Sequence, residues 1–130
     1  MRVLLDTNVM LMWALDREAI LPDVDRLLMD QATVRIASVV SPWEISIKWR
    51  TGKLTLPTHP KEWVRVVERE LALDVLPVTL RHAVQVADLP DHHRDPFDRL
   101  LIAQAQVEKM PIVTADRSFA PYDVEVIAAR

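Results

Sequence analysis

Cysteine is absent from the 130 residues, and glycine occurs once, at Gly52. Without cysteine there is no disulfide, no thiolate nucleophile and no cysteine-ligated zinc, which is compatible with a reducing compartment. A single glycine excludes both the Rossmann fingerprint and the P-loop, because each needs several glycines to bring backbone N–H groups up to phosphate. Serine hydrolysis built on a nucleophile elbow is disfavoured on the same ground. Long apolar runs are missing too, and none approaches the length of a membrane span. The amino-terminal apolar stretch is broken by Asp6, Thr7 and Asn8 and followed by Asp16 and Glu18, with no small-residue cleavage site, so a cytoplasmic protein is expected. Basic charge is not in excess: the net charge is −3, which argues against a plain nucleic-acid binder. That objection weakens if several acids are gathered and neutralised by a metal ion.

What is present is a chain with half its residues apolar, enough for one substantial core, and residues 1–130 read as a single domain. Short runs rich in β-branched residues predict strands at Arg2–Asp6, Val34–Ser38, Leu73–Val78, Pro111–Asp116 and Val124–Ile127. Segments with helical spacing lie between them: Asn8–Leu15, Pro22–Gln31, Val39–Thr51, Pro60–Leu71, Leu80–Leu89 and Pro96–Lys109. Gly52 suits the C-terminal end of the third and Thr79 the N-cap of the fifth. Strands alternating with helices imply an α/β fold with a mostly parallel sheet covered on both faces. The loop Pro90–Arg94 is expected to be the most mobile segment. Ligands of such folds bind beyond the carboxyl ends of the strands, where Asp6 and Asp116 fall.

Four acids draw attention, and each has an ordinary explanation. Asp6 can cap the helix that follows it, and Asp116 can cap a short turn before Pro121. Asp95, Pro96 and Asp98 have the grammar of a helix start, with Asp95 as N-cap, Pro96 at the first position and Asp98 closing a capping box. Ser41, Pro42 and Glu44 repeat that grammar; if Ser38 is the cap instead, Glu44 lies a turn inside, with Lys48 four residues on. Taken together, the acids are harder to explain. Two carboxylates about 4 Å apart at an effective dielectric near 20 repel by on the order of 4 kcal/mol, and a divalent cation relieves that. Oxygen-only ligation suits Mg²⁺ or Mn²⁺ better than zinc, and such ions support phosphodiester hydrolysis.

The remaining polar residues are read more plainly. His92 and His93 are adjacent, a spacing that does not direct both to one metal, and His59 and His82 suit surface or packing roles. Trp13, Trp43, Trp49 and Trp63 sit at helical positions beside aliphatics and are expected in the core, although Trp43 or Trp49 could stack on a base. Lys48, Arg50, Lys53, Arg94, Arg99 and Arg117 flank the acids in sequence and could contact a phosphate backbone; an ordinary solvated surface is the competing explanation.

Four stretches, "LLDTN", "SPWEISIKWRTGKL", "HHRDPFDRLLIAQA" and "IVTADRSF", in that order and spacing, closely resemble PIN-domain ribonucleases of the VapC toxin type. The resemblance covers nearly the whole chain, with Pro57–Pro90 carried mostly by its helical pattern. It implies a three-layer α/β/α sandwich with a central, mostly parallel five-stranded sheet. It also implies a metal-dependent endoribonuclease, using Mg²⁺ or Mn²⁺, that cleaves RNA and is neutralised by a cognate antitoxin, and it implies a homodimer. Carried over by position, the metal-binding and catalytic residues are Asp6, Glu44, Asp98 and Asp116. Asp95 then becomes the cap with a possible outer contact, and Thr7, Asn8 and Thr114 match positions that hydrogen-bond the carboxylates or water.

Two other classes compete. A receiver-like regulatory module shares the parallel sheet, but it places paired acids after the first strand and a lysine after the last, whereas this chain has Asp6 alone and ends in "VEVIAAR". A PIN-like protein that binds RNA or a partner without cutting is disfavoured by the intact carboxylates. Substitution of Asp6 separates the enzyme from the binder, because only the enzyme loses a turnover.

Overall fold

The computed structural model describes all residues 1–130. Five strands, β1 (Arg2–Leu5), β2 (Val34–Ser38), β3 (Asp74–Leu76), β4 (Ile112–Thr114) and β5 (Val126–Ala128), form one sheet in the order β3-β2-β1-β4-β5. Every neighbouring pair is parallel, with Leu4 opposite Ile36 on one side and Ile112 on the other. Six helices connect them: α1 (Thr7–Leu15), α2 (Pro22–Met29), α3 (Val40–Arg50), α4 (Pro60–Glu70), α5 (Leu80–Gln85) and α6 (Pro96–Glu108). The α/β/α architecture expected from the sequence is therefore the one observed.

The first strand runs through the middle of the sheet, and its side chains alternate between two cores, as a period of two requires. Val3 and Leu5 join Val9, Met10 and Trp13 of α1, Leu28 of α2 and Trp63 and Val67 of α4 on one face. Leu4 joins Ile36, Ile112 and the α6 residues Leu101, Ile102 and Ala105 on the other. Helix α3 touches both, with Ile45 in the first core and Val40 in the second. It thus lies where it can present a side chain between the two layers.

Local chemistry sets the element ends. After α3, the N–H groups of Gly52 and Lys53 return to the carbonyls of Trp49 and Lys48, and Gly52 takes φ +76°, a left-handed helix stop that favours glycine. The same stop recurs after α4 at Ala72 (φ 48°) and after α6 at Lys109 (φ 54°), where side chains occupy the left-handed region. Thr79 caps α5 as expected, and His82 reciprocates by accepting from the Thr79 N–H. That helix is shorter than its pattern suggests and passes into a 3₁₀ turn at Val86–Asp88.

Loop Pro90–Arg94, the segment expected to be the most mobile, is hydrogen-bonded to side chains outside it. The Arg99 guanidinium donates to the carbonyls of Val86, Leu89, Pro90 and His93, and the Tyr122 hydroxyl accepts from the His93 N–H while donating to Pro90 O. Two side chains from outside the loop thus take up its orphan backbone groups.

Candidate metal centre

At the carboxyl edge of the sheet the four acids converge from four separate places. Asp6 follows β1, Glu44 is on α3, Asp98 is in the first turn of α6 and Asp116 follows β4. Asp6 and Glu44 are buried, at 3% and 4% relative exposure.

Asp6 stands at the N-cap position of α1 but its side chain caps nothing. Its Oδ2 accepts instead from the Thr114 hydroxyl at 2.8 Å. Burial pushes its pKa up to about 6, against the lowering effect of that hydrogen bond and with a further push from the charge of Glu44. Glu44 lies beyond the first turn of α3, whose start is served by Ser38 Oγ accepting from the Val40 N–H. The capping-box alternative for Glu44 therefore does not hold. One of its oxygens meets Lys48 Nζ at 2.6 Å, and this contact holds the lysine above its ordinary pKa. The other oxygen, Oε1, is buried with no partner.

The two roles offered by "DPFD" are divided between its acids. Asp95 Oδ1 accepts from the Phe97 N–H at 2.8 Å and is the N-cap of α6. Asp98 does not complete a capping box, because the Asp95 N–H that it would receive goes to His93 Nδ1 at 3.1 Å. Its carboxyl is left among other carboxylates. Burial, followed by the charges of Asp6, Asp95, Glu44 and Asp116, drives its pKa up to about 8. Asp116 does both jobs at once: Oδ1 accepts from the N–H and hydroxyl of Ser118, and Oδ2 from the His93 ring. Burial raises it, but these bonds outweigh burial and hold it below the ordinary carboxylate value.

His93 is the member that sequence reasoning missed. Its Nε2 lies 2.9 Å from Asp98 Oδ2 and 3.2 Å from Asp116 Oδ2. Nothing in the adjacency of His92 and His93 distinguishes the two; the nearest signal is the offset of His93 from the helix cap, two residues before Asp95. His92 instead lies edge-on to Tyr122.

Of the supporting residues, Thr114 reaches a carboxylate, whereas the Thr7 hydroxyl pairs with Ser41 Oγ at 2.8 Å and Asn8 is exposed. Lys48, Lys53 and Arg94 border a groove of about 460 Å³ that Glu44, Asp95 and Phe97 also line. Arg117 is exposed, and Arg99 is committed to the loop carbonyls already described. Trp13 and Trp63 are in the core as expected, but Trp43 is 58% exposed and meets Phe97 edge-on beside the acids.

The residues fit a divalent cation. An unpartnered buried carboxylate oxygen and two acids with raised pKa values are the marks of charge gathered without its counter-charge, and the donors are all oxygens apart from His93. A cation of the Mg²⁺ class would be held by Asp6, Glu44, Asp98 and Asp116.

Comparison with known proteins agrees in fold. The family model of the PIN domain matches residues 3–125. No curated protein matches the sequence. Among solved structures, the chain is similar to one in VapBC2 from Rickettsia felis bound to a promoter DNA fragment, with a TM-score of 0.75 and 15% identity over 100% of both chains. It is also similar to one in DNA-bound VapBC from Salmonella typhimurium, at 0.72 and 17% over 100% of this chain and 99% of that one. A third similarity, to a chain in FitAcB from Neisseria gonorrhoeae, has a TM-score of 0.68 and 20% identity over 98% and 97%. No helix is long and apolar enough to cross a membrane.

Proposed function

This chain belongs to the PIN domain family, and on that footing we propose that residues 1–130 are one PIN domain acting as a metal-dependent endoribonuclease, the toxin of a toxin–antitoxin pair. The observation that carries the reading is the buried, unpartnered Oε1 of Glu44 beside Asp6 and Asp98, two acids raised by burial and mutual repulsion. Asp6, Glu44, Asp98 and Asp116 would hold Mg²⁺ or Mn²⁺, which would supply activation of water and neutralisation of charge at the scissile phosphate.

The protein's own groups do the rest. The Thr114 hydroxyl orients the Asp6 carboxylate by donating to its Oδ2. The Lys48 ammonium balances Glu44 on the groove side, and Lys53 and Arg94 offer positive charge to an RNA backbone entering there. The similar chains in VapBC and FitAcB structures support an antitoxin partner for this one. The exposed apolar residues Leu15, Trp43 and Ile47 are compatible with an antitoxin interface or with a homodimer.

The test is cleavage of total tRNA and ribosomal RNA fragments by purified protein with Mg²⁺, with Mn²⁺ or with chelator, beside Asp98→Asn prepared in parallel. Cutting that requires metal and disappears in the variant is the expected result. Cutting that survives the substitution removes Asp98 from the site, and no cutting by a folded, metal-binding protein moves the reading to a binding module.

A further inference from the structure

His93 is held on every side. Its backbone N–H donates to the Tyr122 hydroxyl at 2.7 Å, its carbonyl accepts from Arg99, and its ring lies edge-on to Phe119. Its Nδ1 accepts from the Asp95 N–H, and a backbone amide can only donate. The ring therefore carries its hydrogen on Nε2, and that N–H is directed to Asp116 Oδ2 with Asp98 Oδ2 alongside.

The three side chains have the look of a ligand set, since one atom from each of His93, Asp98 and Asp116 lies within 4.8 Å of the others. The ring's tautomer argues otherwise. A histidine that ligates through Nε2 in its neutral form carries its hydrogen on Nδ1, and here that position faces the Asp95 amide. Two donors would then point at one another.

We propose that His93 is a positioning residue, not a ligand: its Nε2–H spans the gap between the start of α6 and the end of β4 and keeps the Asp98 and Asp116 carboxylates together, within 4.8 Å of one another, for a divalent cation. The proposal rests on the metal-binding reading given above and adds a residue to it. The N-cap of α6 and the site are then one device. Asp95 starts the helix with its side chain and, with its own N–H, fixes which nitrogen of His93 faces the acids. Groups that orient ligands in this way commonly change metal affinity ten- to hundredfold when removed.

The test measures Mg²⁺ and Mn²⁺ binding by calorimetry on the full-length wild type, His93→Phe and His93→Gln. It is paired with long-range ¹H–¹⁵N spectra of the wild-type imidazole with and without Mg²⁺. Phenylalanine keeps the packing on Phe119 but cannot donate, whereas the glutamine amide can donate from near the position of Nε2. The expected result is about tenfold or greater weakening in His93→Phe, recovery of most of it in His93→Gln, and a hydrogen that stays on Nε2 when Mg²⁺ is added. A hydrogen that moves to Nδ1 on adding Mg²⁺ makes His93 a ligand and overturns the proposal, as does unchanged affinity in His93→Phe. The spectra are decisive even if His93→Phe does not fold. A wild type that binds neither cation fails at the earlier step and takes down the metal reading itself, an outcome distinct from a wild type that binds and a variant that binds equally well.

Discussion

Thr114 and Asp6 are 108 positions apart in the chain, and the hydroxyl of one donates to the carboxylate of the other at 2.8 Å inside the protein. Adjacent parallel strands make this possible: β1 and β4 end side by side, so the last residue of one faces the first residue after the other. Thr114→Val keeps the shape and removes the donor. The variant should lose about 1–3 kcal/mol of stability in its metal-free form, the cost of leaving a buried acceptor short of a partner. Chemical denaturation in chelator reads that loss, and cation binding should weaken alongside it.

Asp95 and Asp98 should part company under substitution. Asp95→Ala removes an N-cap and should cost about 1 kcal/mol of stability. Asp98→Asn should abolish RNA cutting while leaving the metal-free protein as stable as the wild type or more so, because a half-buried acid facing the charges of Asp6, Asp95, Glu44 and Asp116 is gone. Thermal melts and cleavage assays on the two variants, run together, would show whether the helix start and the chemistry divide in this way.

The pH dependence of stability follows from Asp6 and Asp98. Both have folded pKa values above the ordinary 3.8, at about 6 and about 8. The folded protein therefore holds protons that the unfolded chain has released. The favourable contribution is complete below about pH 4 and is lost as the pH rises through each folded value. With chelator, the melting temperature should be lower at about pH 8.5 than at about pH 5.5, and excess Mg²⁺ should narrow or reverse the gap because it binds the ionised carboxylates. A melting temperature in chelator that rises steadily across this range would contradict the pKa directions.

Arg99→Lys tests what that arginine is for. Lysine preserves the charge but cannot spread its donors over the carbonyls of Val86, Leu89, Pro90 and His93. A loss of about 1–3 kcal/mol in stability, with faster amide exchange across Pro90–Arg94, is expected from the loop role. Unchanged exchange would return Arg99 to the candidate phosphate contacts.

Ala72→Gly is expected to stabilise the protein by about 0.5–1 kcal/mol, because Ala72 sits at φ 48° in a stop that glycine occupies without strain. Equilibrium unfolding in urea measures this directly.

The fold was largely legible from the residues. Short β-branched runs between helical segments identify the strands of a buried parallel sheet, and proline and threonine mark the starts of α6 and α5. The four acids were legible only as a set. Asp6 and Asp98 occupy helix-start positions, and sequence alone does not tell a carboxylate that caps from one that turns away. Only the hydroxyl of Thr114 and the competing claim of His93 on the Asp95 N–H decide it. His93 was illegible because its role depends on a backbone amide and on a residue more than twenty positions later. Trp43 misled for a related reason: helical spacing puts it beside aliphatics, but α3 bridges the layers and leaves that face open.

The sheet order also has a bearing on the protein's birth. Strand β1 lies in the centre of the sheet, and its neighbour β4 is made long after it. Asp6 emerges from the ribosome before Asp98, Thr114 and Asp116 and meets them only when that later stretch has followed it out. No nascent fragment ending before that stretch can assemble the four acids. On the proposed function the metal centre therefore stays incomplete while the stretch between Asp6 and Asp116 is being made, and a partner that binds the growing chain has that interval in which to arrive.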